Sequence, residues 1–197
     1  MAKLILASGS PRRRELLERQ NIDFEVVLPK VDEGNVTADS PDGLVRALSA
    51  LKCSDVSARV GDGIPVVAAD TVVEINGGVL GKPKDEADAR IMLHTLSGNS
   101  HLVHSGVTVA YKGVKKTVSV TTKVFFRELG DDEIENYIAS GEPLDKAGSY
   151  GIQERGALFV NRIEGDFYNV MGFPVCEFFS LLRTGFRILP DDLRKQD

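Results

Sequence analysis

Hydrophobic positions in this chain come first as short unbroken runs and later as helical stripes and alternating strands, a mixture that predicts an α/β protein. Leu4-Ile5-Leu6-Ala7 reads as a buried strand ending in a Ser8-Gly9-Ser10 turn. The turn feeds a helix from Pro11 to Arg19, with Ser10 as N-cap, Pro11 at the first helical position and Leu16 and Leu17 as its buried stripe. Phe24 to Leu28 is a second strand, and Val31-Asp32-Glu33-Gly34 an acidic loop. Ser40-Pro41 opens another helix in the same way, with Leu44, Ala47, Leu48 and Leu51 on one face. Lys52 lies beside that stripe, and spacing alone reads it as solvated. Gly61-Asp62-Gly63 ends this helix, and Pro65 to Ile75 is a β-branched central strand.

Asn76-Gly77-Gly78 predicts a hairpin whose return strand is Val79 to Pro83. Glu86 to Leu96 is a helix with Ala87, Ile91 and Leu96 inward. Leu102–Tyr111 and Thr117–Phe126 form an antiparallel pair about Lys112-Gly113. Asp131 to Ser140 is a helix stopped by Gly141. Beyond a Gly-rich loop from Pro143 to Gln153, strands are expected at Ala157–Ile163 and Phe167–Met171, then a closing helix at Pro174–Arg183 and a frayed basic tail.

The first helix carries an oddity. Its opening turn holds Arg12, Arg13 and Arg14, at the end of a helix that already bears partial positive charge. Backbone N–H groups, the Ser8 and Ser10 hydroxyls and guanidinium forks converge there, which is how proteins hold phosphate. The plain alternative is a capped surface helix with solvated arginines. The whole chain has a net charge of −5, so this basic spot suits a small anion and argues against nucleic acid or a membrane surface as partner. At 197 residues the length allows one core or two lobes sharing a sheet. Cys53 and Cys176 read as separate core thiols of a reducing compartment. With no run long enough for a leader or a span, a cytoplasmic location is expected.

Asp70 interrupts an apolar run, where an unpaired carboxylate would cost several kcal/mol, so it needs a cation or donor beside it. A three-residue hairpin loop would bring Lys82 to its face; a two-residue loop would turn Lys82 away. A structural Asp–Lys pair is the plain reading. The histidines have no ligand spacing, and no zinc or acyl-transfer motif occurs. What remains is Glu33 and Asp70 beside Arg12, Arg13, Lys52 and Lys82, a set suited to Mg²⁺ and a polyphosphate.

Leu6-Ala7-Ser8-Gly9-Ser10-Pro11-Arg12-Arg13, Ala68-Ala69-Asp70-Thr71-Val72-Val73, Gly81-Lys82-Pro83 and Leu144-Asp145-Lys146-Ala147-Gly148-Ser149-Tyr150-Gly151-Ile152-Gln153 together resemble the Maf family of nucleoside triphosphate pyrophosphatases. The resemblance runs from Leu4 to about Leu182. It implies a single domain over 1–197, with a long, strongly bent mixed sheet flanked by helices, two lobes around a cleft and a peripheral tail at 184–197. In architecture this would be akin to inosine triphosphate pyrophosphatases. It also implies cleavage of a nucleoside triphosphate to the monophosphate and pyrophosphate with a divalent cation, Mg²⁺ or Mn²⁺. Asp70 would be the catalytic acid–base group and, with Glu33, a metal ligand. Ser8, Ser10, Arg13, Lys52 and Lys82 would handle phosphate. Arg12, Thr71 and Gln153 match the positions that set preference for dTTP and UTP; a branch acting on 7-methyl-GTP instead has an aromatic residue for Arg12 and Gln for Thr71. Relatives make a homodimer the expected assembly. The rival class is a nucleotide-binding regulator of cell division that does not turn over.

Overall fold

The computed structural model describes residues 3–195. Its strands are β1 (Leu4–Leu6), β2 (Phe24–Val26), β3 (Val66–Ile75), β4 (Gly78–Leu80), β5 (Ser100–Tyr111), β6 (Val114–Phe126) and β7 (Val160–Glu164). The helices are α1 (Pro11–Arg19), α2 (Pro41–Val60), α3 (Glu86–Leu96), α4 (Asp131–Ile138), α5 (Phe167–Val170) and α6 (Val175–Phe186). All seven strands join one sheet in the order β2-β1-β3-β5-β6-β7, with β4 on β3. β1 runs parallel to β2 and β3, while β4 and β7 are antiparallel to their neighbours. The mixed α/β class expected from the sequence is present.

Two compact units divide the chain. One contains the chain up to Asp70, Ser105–Val120 and the segment from Gly172; the other contains Thr71–His104 and Thr121–Met171. The division therefore falls inside β3, β5 and β6.

In the first unit the short apolar runs form a small-residue core. Ile5 and Ala7, Val66 and Ala68, Cys53 and Val56 of α2, and Ala110 pack together. α2 buries Val45, Leu48, Ser49, Lys52, Cys53 and Val56, a stripe turned by about one residue from the expected Leu44-Ala47-Leu48-Leu51 face. The reason lies in β5. At Gly106 a Cβ would fall 2.3 Å from the Val45 carbonyl oxygen, so the bare glycine admits the helix backbone at that point. Ser49 and Thr108 then share a buried hydrogen bond of 2.9 Å. Apolar content alone gave no weight to Ser49 or Lys52.

In the second unit His101, Phe126, Tyr150, Phe159 and Tyr137 form a chain of edge-to-face rings, with centroids 4.7 to 6.0 Å apart. α3 has the expected bounds but buries Ala89, Met92, Leu93 and Leu96; Ala87 is exposed and Ile91 is 65% exposed.

The segment expected as a strand at Phe167–Met171 begins as helix α5, because the Asp166 side chain accepts the Tyr168 N–H at 2.8 Å and starts a turn. Where a strand was expected from Ala157, a 3₁₀ turn over Arg155–Phe159 precedes β7. Cys176, expected in a core, is exposed. The basic tail is paired as far as it is described: Leu193 is buried, Arg194 bridges to Ile22, and the Lys195 N–H bonds the Asn21 carbonyl at 3.0 Å. Residues 196 and 197 of the expected tail lie outside the described residues. No helix among the described residues is long and apolar enough to cross a membrane.

Candidate active site

β1 is buried along its whole length and delivers the chain into a turn whose polar groups are already organised. Ser8, itself buried, accepts the Ser10 N–H at 3.2 Å and a proton from Arg13 Nη1 at 3.2 Å. Arg13 Nε donates to the Gly172 carbonyl at 2.9 Å. The guanidinium is thus held from two sides, by the loop that precedes its own helix and by the segment that leads into α6. Burial pulls the Arg13 pKa down. The charges of Asp70 and Glu33 push it back up, and that of Arg12 pulls it down again. At the start of α1, Ser10 makes no side-chain cap bond and no acid occupies the first turn.

The second half of this cluster centres on Lys52. Its Nζ lies 2.6 Å from Asp70 Oδ1 and 2.7 Å from Glu33 Oε2, so one ammonium bridges two carboxylates. Lys52 and Asp70 are 9% and 8% exposed, whereas Glu33 is on the surface. Removing the lysine would leave Asp70 as an uncompensated charge in a largely dry setting, a loss of roughly 3–5 kcal/mol for pairs of this kind. The long aliphatic stem of Lys52 lies in the buried stripe of α2 while its head reaches the anions.

The cation that meets Asp70 is therefore Lys52. The β3–β4 hairpin pairs Ile75 with Gly78, Glu74 with Val79 and Val73 with Leu80, which is the two-residue loop. Asn76 and Gly77 adopt φ of 51° and 76°, as a tight two-residue turn requires. Lys82 then falls beyond the last paired residue and is exposed. The reading of Lys52 as a solvated helix lysine is corrected by the same contacts.

Six of the expected residues thus share the first unit in two linked groups: Ser8, Ser10 and Arg13 in one, Lys52, Asp70 and Glu33 in the other. Arg12 belongs to the same unit and acts electrostatically on Arg13. Thr71, Lys82 and Gln153 belong to the second unit. Thr71 follows Asp70 along β3 and so turns to the opposite face of the strand. Gln153 is half-buried in a turn before the 3₁₀ segment. Sequence reading missed the Gly172 carbonyl as the acceptor for Arg13; the Gly-Phe-Pro run at 172–174 was the available signal.

Among the described residues no group of three or more His, Cys, Asp and Glu side chains is placed to hold a metal. The donor set is instead a pair, Asp70 and Glu33, each of which gives one oxygen to Lys52. A pair of carboxylates fits a hard cation that draws its remaining ligands from phosphate and water, as Mg²⁺ does.

Comparison with known proteins adds an independent finding. The family profile described as Maf-like protein matches residues 3–185. A protein of Alkaliphilus metalliredigens named dTTP/UTP pyrophosphatase is 45% identical over 190 residues, covering 95% of this chain and 98% of its own length. Proteins of the same name from Vibrio cholerae and Bacillus cytotoxicus are 50% and 49% identical, covering 92% and 93% of this chain and 97% and 95% of theirs. A solved dITP/XTP pyrophosphatase from Mycobacterium abscessus aligns at 16% identity over 64% of this chain and 74% of its own, with a TM-score of 0.41, a likeness too loose to argue from.

Proposed function

The chain belongs to the family of Maf-like proteins, and from that premise we propose that it is a pyrophosphatase that hydrolyses dTTP and UTP to the monophosphate and pyrophosphate. The observation that carries the chemistry is the bridge Glu33–Lys52–Asp70 in the same unit as the Ser8–Arg13 turn. A carboxylate fixed by an ammonium, near a guanidinium that is itself locked in place, is a pre-oriented arrangement for attack by water on a phosphoanhydride.

In this reading Asp70 orients the attacking water and takes its proton, using the oxygen not given to Lys52. The water oxygen forms a bond to the α-phosphorus. The bond from that phosphorus to the α–β bridging oxygen breaks, and its electron pair leaves with pyrophosphate. Arg13 and the amides at the start of α1 neutralise charge on the phosphates, and Lys82 adds a further cation. Asp70 and Glu33 are the residues that would hold Mg²⁺ or Mn²⁺. When bound, such an ion supplies Lewis acidity and further neutralises the triphosphate. The amide of Gln153, the hydroxyl of Thr71 and the guanidinium of Arg12 read the pyrimidine edge, whose carbonyls and N–H pair with such groups.

Pyrophosphate release over a panel of nucleoside triphosphates tests the class, with dTTP and UTP expected to lead. Asp70→Asn should lower kcat by roughly 10²–10⁴-fold, the range for loss of a general base, while dTTP still binds. Turnover at the wild-type rate in that variant would refute the assignment. Thr71→Gln combined with Arg12→Trp should move the dTTP to 7-methyl-GTP ratio toward the purine, and an unchanged ratio would remove those two residues from base recognition.

A further inference from the structure

The loop that carries Gln153 is held by a clamp that takes no part in the chemistry above. Tyr137 on α4 is buried, its ring edge-on to Phe159 at 4.9 Å. Its hydroxyl donates to Glu142 Oε1 at 2.7 Å and accepts the Gly151 N–H at 3.0 Å. Glu142 in turn accepts the Gly156 N–H on Oε1 at 3.3 Å and the Arg155 N–H on Oε2 at 3.2 Å. One phenol and one carboxylate therefore fasten the backbone on both sides of residues 152–154.

The packing leaves the clamp no slack. A Cβ at Gly156 would lie 2.7 Å from the Gly151 carbonyl oxygen and 2.9 Å from the Tyr137 hydroxyl. A Cβ at Gly151 would lie 2.6 Å from Cε of Lys146, whose buried ammonium donates to the Glu142 carbonyl at 2.7 Å. Inside the clamp the turn closes on itself through the Glu154 N–H to the Gly151 carbonyl at 3.3 Å. Burial is the largest of the influences that push the Tyr137 pKa up, so the hydroxyl stays protonated and keeps both its donor and its acceptor role.

We infer that Tyr137 and Glu142 are positioning residues for Gln153 and thereby set how tightly the pyrimidine base is held; the inference rests on the base-reading role proposed for Gln153. A loop fixed in advance loses little freedom when ligand arrives, so loosening it should weaken binding and leave the chemical step alone.

Steady-state kinetics with dTTP and Mg²⁺ on four proteins test this: wild type, Tyr137→Phe, Gln153→Ala and the double variant. Tyr137→Phe keeps the ring packing and should raise KM for dTTP about tenfold, with kcat changed less than twofold. In the Gln153→Ala background the same substitution should add nothing, because the clamp acts through that side chain. If Tyr137→Phe raises KM equally in both backgrounds, or leaves KM unchanged while Gln153→Ala raises it, the clamp is structural and the inference fails. If Gln153→Ala itself leaves KM unchanged, the base-reading role is what fails. Should Tyr137→Phe not fold, Glu142→Ala carries the same cycle, and Glu142→Gln, which keeps one acceptor, should recover part of the loss.

Discussion

Two helices of the first unit open on the same Ser-Pro pair and then part company. At the start of α2, Ser40 accepts the Gly43 N–H at 3.1 Å and Asp42 places an acid in the first turn, so both the orphan amides and the helix dipole are answered from within the chain. At the start of α1, Ser10 makes no such bond, and the first turn holds arginine and no acid. The nearby hydroxyl, Ser8, is directed at the Ser10 amide and at Arg13. One Ser-Pro start is closed by its own hydroxyl and acid, whereas the other gathers hydroxyl and guanidinium groups around its first amides, a chemistry suited to an anion.

Four substitutions probe the difference between the two helix starts. Arg13→Met should be the most damaging: it removes the guanidinium held between Ser8 and Gly172, and KM for dTTP should rise by about tenfold or more, each tenfold being about 1.4 kcal/mol. Ser10→Asp would give α1 the acid that α2 already has. KM should rise by roughly three- to tenfold as the carboxylate competes with phosphate, while thermal stability holds or improves, since an acid at this end is worth about 0.3–1 kcal/mol. Ser40→Ala should lower stability by about 1 kcal/mol, a fall in Tm of roughly 2–4 °C by calorimetry, with unchanged kinetics. Ser10→Ala should cost least, under about 0.5 kcal/mol, because no side-chain cap bond is lost. Equal Tm losses for the two alanine variants would erase the distinction between the helix starts.

The contrast also shows where the sequence was readable. The Ser-Pro starts, the bounds of α1 and α3 and the Lys112-Gly113 turn are local matters, governed by caps and positive φ, and local residues reveal them. The partner of Asp70 is not local. Of the two hairpin registers the sequence leaves open, only the three-residue loop turns Lys82 toward Asp70; the observed register differs from it by a single residue, and in a strand one residue decides the face. Lys52 reaches Asp70 because the buried stripe of α2 includes it, and the bare Gly106 on β5, where a Cβ would fall 2.3 Å from the Val45 carbonyl oxygen, admits the helix in that orientation. The clamp on the Gln153 loop was illegible for a related reason: its bonds run mostly from side chains to backbone amides, which carry no mark of residue type.

The ring stack of the second unit carries an acid limit of its own. His101 is 2% exposed; Nε2 meets the Tyr150 hydroxyl at 2.8 Å, and Nδ1 has no hydrogen-bond partner among the described residues. Burial lowers its pKa from 6.5 to about 4. Between those values the unfolded chain takes up a proton that the folded one refuses. This imidazole thus withdraws stability as pH drops from 6.5 toward 4, by up to about 3 kcal/mol, and withdraws no more below that. A ring inserted among aromatics for its shape thereby makes souring of the medium a direct load on the fold, one that His101→Phe should lighten.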